Sequence, residues 1–145
     1  WFRQDLRLAD NPALRAATLA ARAVVPVYVW SPEEEGHWAP GGATRWWLQE
    51  SLRALDARLR ERDSRLVISS GPTVDALLRV ARATGATQIF WNRRYEPAAL
   101  GVEGALEKRL AAEGMMGLGF HSSRLAPPDA VRSAAGRQDA SLNLP

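Results

Sequence analysis

The chain reads as an α/β protein, a doubly wound parallel sheet of five short strands with helices between them. Three observations predict it. Short apolar runs alternate with longer stretches of helical periodicity, the rhythm of successive strand–helix–strand crossovers. The clearest run, AVVPVYVW at residues 23–30, lacks polar alternation, as a strand buried on both faces does. Cap and turn residues stand at the joints, among them Asn11-Pro12, Thr73, Gly85 and Gly114.

Each element follows in order. Trp1-Phe2 reads as the end of a first strand, too short to be a whole one, so that strand is expected to be truncated. The chain also begins without methionine and is expected to be a piece of a longer protein. Asp10 or Asn11 can cap a helix whose first residue is Pro12. Residues 23–30 form the second strand. A helix is expected over 44–62, with Leu48, Leu52, Leu55 and Leu59 on one face. Residues 65–69 form the third strand. Thr73 is expected to cap a helix that runs to about residue 84 and stops at Gly85. Residues 87–92 form the fourth strand. A helix follows over 98–112 despite Gly101 and Gly104, and 117–121 is a weak fifth strand. From residue 122 the pattern fails, and Pro127-Pro128 with several Ala and Ser read as a linker. The expected division is a domain over 1–121 and the start of a linker over 122–145. Right-handed crossovers and a strand order of 3-2-1-4-5 would make the domain Rossmann-like.

Composition sets bounds. The 145 residues suit one domain, and 46% hydrophobic content can build a core. No apolar run approaches the roughly 18 residues of a membrane span, so no membrane partner is expected. There is no cysteine, hence no disulfide, thiolate zinc site or cysteine nucleophile in this chain. A cytoplasmic location is expected. The net charge is +3 and the pI about 10.1. Of 19 basic residues only Lys108 is lysine. The arginines are scattered, so charge alone does not make a nucleic-acid surface; arginine-rich codon usage is the plainer explanation.

In an open doubly wound sheet, ligands bind beyond the carboxyl ends of the strands, where the order reverses. Here that point lies between the first- and fourth-strand loops, residues 3–7 and 93–97. The long loop 31–42 adds His37 and Trp38. The expected polar contacts are Gln4, Arg45, Arg94 and Glu96, with Trp30 or Trp38 as an apolar wall. Arg45 beside a helix start would suit an anionic group. Plainer readings stand beside these. Arg3, Asp5 and Arg7 can be an ion-pair network holding the loop, and Glu33-Glu34-Glu35 a solvated loop. Trp46 and Trp47 point about 100° apart on a helix, so at least one is expected in the core. His37 and His121 are isolated, and no metal site is expected. There is no GxGxxG, GxxxxGK[ST] or GxSxG, and no catalytic residue is assigned.

Three segments carry a resemblance. WFRQDLRLADNP (residues 1–12), GGATRWWLQESLRALDARLRERDSRLVISSGPT (41–73) and IFWNRRYEP (89–97) together resemble the photolyase/cryptochrome family, in the family's order and spacing. The resemblance implies an antenna chromophore of flavin, deazaflavin or folate type in the cleft. It implies FAD in a C-terminal helical domain that this chain lacks, with none of the six tryptophans here in the family's electron-transfer chain. It implies a monomeric complete protein, a DNA photolyase, that uses light to split pyrimidine dimers. Its partners would be its own helical domain and damaged DNA. A cryptochrome, which signals light without repair, is the alternative. An unrelated nucleotide-binding α/β domain is a third reading, opposed by the missing glycine-rich loop. Two departures bear on the chromophore. The family's folate signature, Asn-Glu, falls on Ala98 and Ala99, and its deazaflavin acid falls on Arg94. Two arginines, Arg45 and Arg94, would then favour a ligand with a phosphate, such as flavin mononucleotide.

Overall fold

Asn11 and Pro12 open the first helix. In the computed structural model, which describes residues 1–34 and 41–121, α1 spans Pro12–Ala20. The Asn11 side chain accepts the Leu14 N–H at 3.0 Å, and Pro12 stands in the first turn, where no N–H is needed. Then follow β1 (Val27–Trp30), α2 (Gly42–Arg60), β2 (Val67–Ser70), α3 (Thr73–Thr84), β3 (Gln88–Asn92), α4 (Pro97–Ala112) and β4 (Met116–Phe120). The expected second to fifth strands are thus β1 to β4. The linker expected over 122–145 lies outside the described residues.

β1 pairs with β2 in parallel, and β3 with β4 in parallel. These are two separate two-stranded sheets. One continuous sheet in the order 3-2-1-4-5 is not formed among the described residues. Between the two sheets Trp1 and Phe2 supply a single bridge and no ladder. Phe2 bridges Tyr28, its N–H donating to the Val27 carbonyl at 2.7 Å. The Trp1 amino group donates to the Phe90 carbonyl at 2.8 Å. β1 is also shorter than the expected 23–30, because its partner residues begin at Val67, opposite Val27, and Pro26 has no N–H to donate.

Side-chain alternation across Trp1-Phe2 divides the core. Trp1 packs against one cluster, which includes Val27 and Val29 of β1, Leu77 and Leu78 of α3, and Trp91 of β3. Phe2 belongs to the other, with Leu55 and Leu59 of α2. Leu48 and Leu52, on the same α2 face, are half-buried. On β4, glycine is demanded by close approach. A Cβ on Gly117 would stand 2.9 Å from both Leu110 and Trp91. One on Gly119 would stand 2.7 Å from the Arg93 side chain. No helix among the described residues is long and apolar enough to cross a membrane.

Thr73 does not cap α3; it is the first residue of the helix. The cap comes from Glu34. Its carboxylate accepts the Thr73 N–H at 3.0 Å and the Thr73 hydroxyl at 2.5 Å. Glu34 is therefore part of the structure rather than a solvated loop residue. Gly85 ends the helix in the left-handed conformation, at φ 70°.

Candidate functional site

The loop after Phe2 is anchored from below by a buried glutamate. Ala99, Glu103, Leu106 and Leu110 form the buried stripe of α4, so Glu103 faces inward by helical spacing alone. It is 2% exposed, and a carboxylate there needs partners. Arg3 Nη1 donates to Glu103 Oε1. The Arg94 backbone N–H donates to the same oxygen at 3.0 Å. Arg93 Nη1 stands 3.6 Å from Oε2, and Arg93 also donates to Glu107 at 3.0 Å. One side chain thus ties the loop after Phe2 to the loop after β3. The Arg3 guanidinium also lies 4.5 Å from the Trp1 ring centroid. Burial holds the pKa of Arg3 below its ordinary value, and the hydrogen bond to Glu103 offsets this only in part.

A second polar cluster fixes the same loop to α1. Asp5 accepts the Arg3 N–H at 2.9 Å and the side-chain amides of Asn92 and, at 3.3 Å, Asn11. Asn92 donates to Asn11 Oδ1 at 2.8 Å and accepts the Ala13 N–H at 3.1 Å. The expected Arg3–Asp5–Arg7 network is thus redistributed: Arg3 pairs with Glu103, Asp5 with amides, and Arg7 donates to the Asp10 carbonyl at 3.1 Å.

Beyond the carboxyl ends of β1 and β3 these loops border a cleft of about 1190 Å³. Gln4, Trp30, Arg94 and Glu96 line it. Arg45, exposed in the first turn of α2, is not among the lining residues; Thr44 and Trp47 are. Trp38 and His37 lie outside the described residues. Neither Trp46 nor Trp47 is in the core: they are 56% and 65% exposed. Their rings meet edge to face, with centroids 5.0 Å apart, so the angular separation on the helix did not keep them apart. α2 seats its core side chains in its second half, at Leu55 and Leu59, and its first turns overhang the cleft.

Arg94 forms a fork with Glu96, Nε and Nη2 each 3.3 Å from a carboxylate oxygen. Glu96 precedes α4, and its pKa is lowered first by a hydrogen bond from its own backbone N–H and then by Arg94. The site is large enough for a planar chromophore, above the roughly 300 Å³ lower bound of ordinary ligand pockets, and Trp30 and Trp47 give it aromatic walls. Sequence reasoning did not single out Glu103 or Asn92, read Glu34 as a solvated loop residue, and read Asn11 as a helix cap without its Asn92 partner. Only Glu103 left a signal, a charge at an apolar position of a helical stripe.

The sequence model of the family "DNA photolyase" matches residues 1–142. The chain belongs to the DNA photolyase family. Cryptochrome-1 of Arabidopsis thaliana is 44% identical over 138 residues, 94% of this chain and 20% of that protein. A bacterial class III photolyase from Agrobacterium tumefaciens has the same fold, with a TM-score of 0.85 at 38% identity, over 94% of this chain and 28% of that one. An archaeal photolyase from Sulfolobus tokodaii, whose crystal structure holds two FAD molecules and implies a novel light-harvesting cofactor, gives 0.81 at 25% identity, over 91% and 31%. This photolyase-family chain therefore spans less than a third of the length of these relatives.

Proposed function

We propose that this chain is the antenna domain of a light-driven DNA photolyase, and that its cleft holds an auxiliary chromophore of flavin type. The observation that carries the reading is the cleft itself: in a photolyase-family domain, an aromatic-walled space opens where the loops after Phe2 and β3 meet. Gln4, Trp30, Arg94 and Glu96 would contact the chromophore, with Trp38 and Arg45 near by in sequence. The Sulfolobus tokodaii relative, with its two FAD molecules, supports a flavin ring here. Such a group, when bound, absorbs light and passes the excitation on. Trp30 and Trp47 would give the ring apolar walls, and Glu103 ties the two loops together.

The remaining parts of the reading belong to the complete protein. Residues 122–145 would lead into a helical domain that holds FAD and meets damaged DNA, and the protein would act as a cytoplasmic monomer. A groove of about 420 Å³, lined by Ala13, Ala17, Val25, Leu77 and Ile89, supports an extended segment ahead of Trp1 that completes the 3-2-1-4-5 order. The 44% identity to Cryptochrome-1 favours a second reading, a light-signalling protein without repair. Illuminating the complete protein with a dimer-containing oligonucleotide separates them. Repair in light and none in the dark supports the photolyase; no repair in light favours the cryptochrome. The 145-residue chain alone should repair nothing.

A further inference from the structure

We infer that the cleft selects a planar, phosphate-free ring and disfavours its phosphorylated form; this rests on the chromophore reading above. The inference comes from the charge balance of the lining. Two described lining residues are cations, Arg3 and Arg94, and each already has a carboxylate. Arg3 is given to Glu103, and its face is covered by the Trp1 ring. Arg94 Nη2 donates to Glu96 at 3.3 Å, and its Nε stands 3.3 Å from the other carboxylate oxygen. Three carboxylates line the same space: Glu33, Glu34 and Glu96. The described lining is therefore net acidic once its own pairs are made.

A phosphate entering the cleft would have to take an arginine from its partner. Taking Arg3 would strip the strongest partner from Glu103, a charge 2% exposed. Taking Arg94 would leave Glu96 facing the phosphate. Two of the three helix starts on the cleft do not offset this. The α3 start is filled by Glu34, and Glu96 stands at the α4 start. The start of α2, at Gly41, has no side-chain cap and is the one described place where a phosphate could dock. What the cleft offers freely is neutral: the Gln4 amide, able to donate and accept, and the Trp30 and Trp47 rings, which stack on any flat heteroaromatic.

Riboflavin and flavin mononucleotide share one ring and differ by a phosphate. Both are titrated into the complete protein freed of its antenna chromophore, with tryptophan quenching as readout. Riboflavin should bind as tightly as flavin mononucleotide or more tightly. Glu96→Gln, which releases Arg94, should shift the affinity ratio at least threefold toward the phosphorylated ligand. Tighter binding of flavin mononucleotide by the unaltered chain, or a ratio unmoved by Glu96→Gln, overturns the selectivity and leaves the chromophore reading standing. Binding of neither flavin overturns both.

Discussion

Glu103 is the residue on which the cleft's geometry turns. Replacing it with alanine leaves Arg3 buried without its carboxylate, at a cost of about 3–5 kcal/mol. Glu103→Gln keeps the volume and an acceptor oxygen and should cost less. Urea unfolding of the three chains measures the order. Its role was partly legible: a glutamate in step with Ala99, Leu106 and Leu110 declares a buried partner. That the partner is Arg3, 100 residues away, was not, because nothing local encodes it. The same holds for Glu34, which caps a helix 39 positions on.

Among the elements, helices were read more surely than strands. The α3 stop at Gly85 and the α1 start at Asn11-Pro12 carry local chemistry that survives any tertiary context. Strand ends depend on partners, so the apolar run at 23–30 became a strand only from Val27, where β2 supplies a ladder. The Trp46–Trp47 pair was misread for the same reason: an apolar side chain is core only if another element covers it. Glycine gives a test with opposite signs. Gly117→Ala drives a methyl group into Leu110 and Trp91 and should cost about 1–3 kcal/mol. Gly101→Ala, in α4 with nothing within 4 Å, should instead stabilise by about 0.5–1 kcal/mol. Chemical denaturation of both variants checks the contrast.

For the whole molecule, the two half-sheets meet at a bridge of two residues, Trp1 and Phe2. Extending the chain upstream by about five residues of its own sequence, a strand's usual length, should raise the melting temperature; no gain would count against the 3-2-1-4-5 order. The family was legible because three segments matched in order, whereas the ligand was not: of the two arginines that suggested a phosphate, Arg94 is paired with Glu96 and Arg45 is not among the residues lining the cleft. The claim that the cleft holds a chromophore is tested most directly on the complete protein with Ala98→Trp, which fills the cleft from the start of α4. Both proteins are purified and their bound chromophores are counted by absorption after release. The wild type should carry two chromophores and the variant only FAD. Two chromophores retained in the variant, or one alone in the wild type, would contradict the account.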